Sequence, residues 1–466
     1  MSPMRHFFYR LLLLSLTAAG TGCATTPQVS KVVQEVQTPP EPPQIASAKG
    51  FLSPEQSSAL IEHLKHQTDP TDMLGRQIAV MESVSRSPLV KGNKVTLLVD
   101  GPATYAAMFK LVEQAHDHIN LESYVFEDVR NPASGESFAD LLMQKQAAGV
   151  QVHILYDSVG SMGTPAALFK RLRNGGIQVI EFNPVNPLLA HGKWRLTQRD
   201  HRKILVVDGK VAISGGVNIS EVYSGELTGI KKETEEAIPW RDTDVQIEGP
   251  AVAEFQKLFL DTWQREKGAK LTGRHYFPPL KDEGDALIKV VGNTPGVMNR
   301  ITFIMYVSAI TFADKYVHLT NAYFVPDRQM VRALTGAAGR GADVKLILPQ
   351  HSSSWLALSA GRYHYAELLQ AGVKLYERRN AVLHAKTAVI DGVWSTVGST
   401  NMDFLSFSKN DEVNAIILSR RFADAMEQMF VRDLRDCEQI LGERWRKRSV
   451  YARIKEWFAH LFSDWL

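Results

Sequence analysis

The sequence predicts an α/β protein made of two similar repeats, each a mixed β-sheet flanked by helices, packed about a pseudo-two-fold axis. Three observations predict it. A signature, His-x-Lys-x4-Asp followed by Gly-x-x-Asn, occurs twice with identical spacing, at His201, Lys203, Asp208, Gly215 and Asn218 and again at His384, Lys386, Asp391, Gly398 and Asn401. By chance, four such side chains at fixed offsets are expected on the order of once per 10^5 start positions. The likeness also extends beyond the signature: residues 148–155 correspond to 341–348, and Gly-Gly-Ile at 175–177 corresponds to Ala-Gly-Val at 371–373. Finally, 466 residues with 44% hydrophobic content suffice for two α/β units of ordinary size and some periphery.

In chain order, Arg5 and Arg10 precede an apolar, small-residue run at 11–22, too short to span a bilayer comfortably but suited to a signal peptide. Cys23 follows directly, in a setting that looks like a bacterial lipoprotein processing site, with Gly20 where Leu is usual three residues before the Cys. Residues 1–23 are therefore expected to be a signal with lipidation at Cys23. Secretion without a lipid, or an uncleaved anchor, is the alternative. Either anchor would hold the protein at a membrane of the bacterial cell envelope, on the periplasmic side. Residues 24–75 read as a Pro-rich tether and N-terminal segment, 76–270 as the first repeat and 271–466 as the second.

Within each repeat a strand (118–126; 316–324) leads to a helix (138–148; 329–340), then a strand, a helix, a short strand and the signature. This alternation implies a mixed sheet with helices on both faces. The signature itself reads as a hairpin. Residues 204–207 and 387–390 are apolar and β-branched, and each run ends in Asp-Gly before a second apolar run. On a strand, i and i+2 share a face, so His201 projects with Lys203 and His384 with Lys386. Asp208 and Asp391 stand at the turns, where Asp-Gly is favoured for conformational reasons.

At the C-terminus, basic residues (Arg444, Arg446, Lys447, Arg448, Arg453, Lys455) intersperse with Trp445, Trp457, Phe458, Leu461, Phe462 and Trp465. The pattern suits either an anionic bilayer surface or a terminal helix packed on the second repeat with a solvated basic face. If Cys23 is modified, Cys437 is the one cysteine left, and no intramolecular disulfide is possible. Cys437 falls with Leu434 and Leu441 at helical spacing and reads as a small core residue.

Paired Lys and Asn suit the oxygens of a phosphodiester. One neutral imidazole can attack phosphorus while a second, protonated one donates to the leaving oxygen and later deprotonates an incoming alcohol or water. Such chemistry requires no metal or other cofactor. The net charge of +3 gives no support for a nucleic-acid footprint, and no nucleic-acid partner is expected.

These residues resemble the duplicated motif of the phospholipase D superfamily. Residues 199–203 (Arg-Asp-His-Arg-Lys), 323–327 (Tyr-Phe-Val-Pro-Asp) and 410–414 (Asn-Asp-Glu-Val-Asn) narrow the resemblance to bacterial cardiolipin synthases, over about residues 90 to 450. The resemblance implies transfer of a phosphatidyl group between two phosphatidylglycerol molecules through a phosphohistidine. Hydrolysis of a lipid or nucleic-acid phosphodiester is the alternative, and an inactive tethered lipid-binding protein a more distant one.

The motif residues His201, Lys203, Asp208, His384, Lys386 and Asp391 are then the candidate catalytic set, with His201 the implied nucleophile and His384 the implied acid and base. Asn218, Asn401 and Ser399 are expected to hold phosphate. In the first copy Gly216 replaces the hydroxyl of Ser399, which would weaken that half's phosphate contacts. Asp242 and Glu412 follow the two motifs at matching places, and the resemblance implies that they orient the imidazoles. Glu122, a charge on an otherwise apolar strand, is expected in the same pocket.

Overall fold

Strand Leu89–Val99 is where the two repeats join. Its later residues pair antiparallel with Thr243–Glu248 of the first repeat, and its earlier ones pair antiparallel with Ala286–Asn293 of the second. The computed structural model describes residues 27–35, 42–67, 73–85, 87–131, 133–189, 197–224, 239–295 and 300–466. Cys23 and the expected signal lie outside them.

From that shared strand the first repeat runs outward through Thr243–Glu248, Val211–Gly215, Ile204–Val207, His118–Ser123, Gln151–Asp157 and Gln178–Phe182. The second runs through Ala286–Asn293, Glu412–Leu418, Trp394–Gly398, Lys386–Ile390, Tyr316–Asn321, Asp343–Pro349 and Lys374–Arg378. With Leu89–Val99 counted in the first repeat as the equivalent of Ala286–Asn293, the order and the parallel or antiparallel sense correspond strand for strand, so the duplication legible in sequence is a duplication of topology. The second repeat adds one edge strand, Cys437–Ile440, antiparallel to Lys374–Arg378. Helices follow the same correspondence, with Phe138–Ala147 answering Arg328–Gly339 and Val252–Arg265 answering Arg420–Leu434.

Each repeat has its own apolar core, and a third lies between them. Ile204, Val206, Val245 and Ile247 meet Val389, Val397, Val413 and Ile417 there, under Phe255 and Met426 from the two corresponding helices. Apolar strand residues on both faces are what a sheet covered on two sides requires, and this shared core fixes one signature strand against the other.

Two sequence expectations change. Within the expected tether, Val29–Glu35 is a helix and Ile45–Ser47 pairs parallel with the shared strand. Val29 and Ile45 are buried in the second repeat's core beside Ile304, and Gln329 fastens the helix by accepting from Val29 N and donating to the Pro27 carbonyl. Cys437 begins the edge strand rather than sitting in a helix, because Arg420–Leu434 ends three residues earlier. It is half-buried, and Leu441 is exposed.

Candidate active site

Each signature hairpin places its His and Lys just before or at the start of a central strand. Asp208 and Asp391 stand at the far ends, in the turns, with φ of 52° and 51°. Asp208 accepts from the backbone N–H groups of His116, Asp117 and His118, and Asp391 from those of Asp314, Lys315 and Tyr316. Both carboxylates are thus committed to anchoring the start of the neighbouring strand. They sit at the opposite end of the strand from the imidazoles, which corrects their grouping with the catalytic candidates.

The imidazoles are brought together by short parallel pairings between the repeats. His201 N donates to the Asp411 carbonyl and Asp411 N to that of Arg199, and His384 N donates to the Arg241 carbonyl. Each His is therefore bonded through its backbone to the residue immediately before the other repeat's carboxylate. The side chains follow. His201 Nδ1 lies 3.0 Å from both oxygens of Glu412, and His384 Nδ1 lies 2.7 Å from Asp242 Oδ2. The expected carboxylate–imidazole pairs exist, and they cross from one repeat to the other.

With Nδ1 donating to carboxylate, the Nε2 atoms are the available bases. Among the described residues neither Nε2 has a hydrogen-bond partner, and neither is sealed from solvent, whereas those of His118, His153 and His364 are enclosed.

Burial pushes both imidazoles toward the neutral form; His384 goes down to about 3, with Lys386 adding to the effect of burial. Burial alone would raise Asp242 and Glu412, but the facing imidazoles and lysines hold both below the usual carboxylate range. The lysines lose basicity to burial as well, Lys203 down to about 7 and Lys386 to about 8. Lys203 Nζ donates to the His201 carbonyl at 2.7 Å and Lys386 Nζ to that of His384. The center is charged and largely buried, with lysines brought down toward neutrality, the condition in which an anionic ligand gains most.

Several candidates sit differently from expectation. Ser399 Oγ donates to Glu412 Oε2, so its hydroxyl supports the carboxylate rather than standing free for phosphate. Gly216 stands where Ser399 does, and a Cβ there would come within 2.1 Å of Asp242 Oδ1, so the absence of any side chain makes room for the carboxylate. Asn218 donates to Tyr223 Oη at 3.1 Å, and its Oδ1 accepts from Val125 N. Asn401 is buried with its Oδ1 unpartnered.

Glu122 lies on the face of its strand away from Lys203. It pairs with Ile204, whose side chain joins the core between the repeats, while Lys203 points to the other face. There it stands 3.9 Å from Arg202, and burial raises its pKa. Arg202 itself crosses to the second repeat, donating to the Glu412 and Asn293 carbonyls.

Two aromatic neighbors carry no sequence signal. Tyr223 Oη lies 3.0 Å from His384 Nδ1. Tyr124 meets the His201 ring edge-on at 5.1 Å, with Lys203 Nζ 5.3 Å from its centroid.

A crystal structure of phosphatidylserine synthase from Haemophilus influenzae Rd KW20 shares the fold, with a TM-score of 0.60 over 82% of this chain and 95% of that one at 11% identity. A cardiolipin synthase from Halalkalibacterium halodurans is 33% identical over 390 residues, 82% of this chain and 74% of the relative. Cardiolipin synthase A from Pseudomonas putida is 32% identical over 392 residues, 83% of this chain and 77% of the relative. The family model described as "Cardiolipin synthase, PLD-like domain" matches residues 108–263 and 306–434, which include both signatures and both carboxylates. The chain belongs to the cardiolipin synthase family of phospholipase D-like proteins.

Proposed function

We propose that this protein is a phosphatidyltransferase that joins two phosphatidylglycerol molecules into cardiolipin and glycerol through a phosphohistidine. One observation carries the reading: two imidazoles, each held at Nδ1 by a carboxylate of the other repeat, keep Nε2 atoms that are unpartnered among the described residues and not sealed from solvent, with a lysine beside each. Relatives at about a third identity that carry the name cardiolipin synthase support it.

In the first step His201 Nε2 attacks phosphorus, the bond to the glycerol oxygen breaks, and His384 gives that oxygen its proton. In the second, His384 takes the proton of a hydroxyl of the incoming phosphatidylglycerol. The freed oxygen attacks phosphorus and the P–N bond breaks. Lys203, Lys386 and Asn401 would hold the non-bridging oxygens as charge develops, with Asn218 as a further donor if Tyr223 releases it. Burial pushes His384 toward the neutral form, so the proton it delivers to the glycerol oxygen is taken up from solvent as the anionic diester binds, because the diester's charge favors imidazolium. A lipid on Cys23 would hold the protein at the periplasmic side of an envelope membrane. Incorporation of labelled palmitate that survives Cys23→Ser would refute that anchor.

The test of the reaction is mass spectrometry of lipid products from phosphatidylglycerol vesicles and purified protein. Wild type should yield cardiolipin and glycerol in equal amounts. His201→Ala and His384→Ala should each lose at least about 10^4-fold in turnover while keeping their circular dichroism spectra. Phosphatidic acid as the sole product would replace the transferase with a hydrolase, and a His201→Ala protein retaining a tenth or more of wild-type activity would end the mechanism.

A further inference from the structure

Helix Val450–His460 is docked with its apolar face outward. Its inward side is narrow: Ala459 packs with Val325, Ala357 and Ala360, and buried Glu456 is bound by Arg448. Its outward side carries Tyr451 (76% exposed), Ile454 (58%), Trp457 (53%), Phe458 (47%), Leu461 (57%) and, one turn beyond, Trp465 (55%). That spacing makes one continuous stripe along the helix. Isolated exposed apolar residues are ordinary, but an aromatic stripe rimmed by charge marks a docking surface.

The rim is basic. Arg446, Lys447 and Arg453 are exposed, and Lys455 reaches over the Trp355 ring. The one carboxylate inside the helix, Glu456, is buried and paired, so the helix rim is basic, and Asp464, beside Trp465, is the exposed carboxylate beyond it. A second copy of this chain is a poor occupant, because a two-fold contact would press that basic rim against itself. Aromatic and aliphatic side chains surrounded by Lys and Arg match the interface of an anionic bilayer.

We infer that helix Val450–His460 and the chain end dock on an anionic phospholipid bilayer, with Ile454, Trp457, Phe458 and Trp465 inserted below the headgroups. The placement serves the site. Leu405 N donates to the Leu466 carbonyl, which ties the chain end to the segment leading from Asn401 to Glu412. The sequence pattern left bilayer docking and packing on the second repeat as alternatives; the structure has the packing, through one face, and the opposite face is the one we assign to the bilayer.

The full chain, bound to vesicles of phosphatidylglycerol and phosphatidylethanolamine with brominated acyl chains, should show quenched tryptophan emission. Trp457→Phe with Trp465→Phe should remove most of the quenching. Unchanged quenching in that double variant, or a light-scattering mass of a dimer whose Trp457 emission is insensitive to vesicles, would overturn the inference. Ile454→Glu with Phe458→Glu supplies a second arm, which rests on the proposed lipid transfer. This variant should lose about tenfold in kcat/KM on vesicles, through KM, with unchanged turnover of a short-chain phosphatidylglycerol dissolved as monomers. Equal losses on both substrates would count against docking. Absence of product from every protein would reject the proposed reaction, while the quenching arm still decides the surface.

Discussion

The two imidazoles occupy equivalent places in a duplicated fold, yet their supports differ. His201 has a Glu412 that accepts from it through both oxygens and is itself held by the Ser399 hydroxyl. His384 has the shorter Asp242, drawn close by a glycine at the equivalent of Ser399, with Tyr223 Oη and Lys386 Nζ also crowding Nδ1. The signature is symmetric and its surroundings are not. A nucleophile needs an imidazole steadily held and neutral, and an acid–base group needs one whose proton can come and go, so unlike supports suit unlike roles.

The largest expected effects outside the imidazoles belong to the crossed carboxylates. Glu412→Gln and Asp242→Asn should each lower kcat by about 10^2- to 10^4-fold, as loss of an orienting carboxylate does elsewhere. The crossing can be checked by proton NMR of the Nδ1–H signals. Glu412→Gln should remove the signal that His201→Ala removes, and a change confined to the His384 signal would break the comparison. Gly216→Ala should come next, at about 10^2-fold in kcat, because its Cβ would displace Asp242. Ser399→Ala and Tyr223→Phe each remove one hydrogen bond to the orienting apparatus and should cost about tenfold in kcat with KM unchanged.

The pH dependence tests both halves together. Lysines bind phosphate when protonated, and Lys203 and Lys386 are pushed down to about 7 and about 8. Affinity should therefore be full below that range and fall as pH rises through it, seen as a growing KM. The two groups titrate as a coupled pair, so apparent values belong to the site. A KM flat across this range would show that the lysines stay charged or do not bind phosphate. The smallest effect on chemistry belongs to Asp208→Asn. It should leave turnover within about twofold while costing about 1 to 2 kcal/mol in thermal or denaturant unfolding, since the carboxylate serves three backbone N–H groups.

Much of this was legible in the chain. Identical spacing in two copies gave the repeats, and Asp-Gly between apolar runs gave the hairpins with Asp208 and Asp391 as turn residues. The carboxylates were legible as a pair, because each follows its motif at a matching place. Their crossing was not, since it depends on pairings between repeats such as His201 N with Asp411. Ser399 and Glu122 were misplaced for a related reason. A hydroxyl in a phosphate-binding motif does not reveal that a nearer carboxylate will take it, and a lone charge on an apolar strand does not reveal which face it occupies. Tyr223 carries no pattern at all. The Pro-rich N-terminal segment reads as a tether from composition; burial of Val29 in the second repeat replaces that reading for residues 27–35, while residues 36–41 lie outside the described ones.

The division of labor between the two halves can be tested at the phosphorus itself. Protein mixed briefly with phosphatidylglycerol, quenched in base where phosphohistidine survives, digested and sequenced by mass spectrometry should carry the phosphatidyl group on the peptide containing His201. That adduct should be absent from His201→Ala. A phosphatidyl group on His384 would reverse the roles of the two halves, and cardiolipin formed with no protein-bound phosphorus at any time point would contradict the two-step transfer.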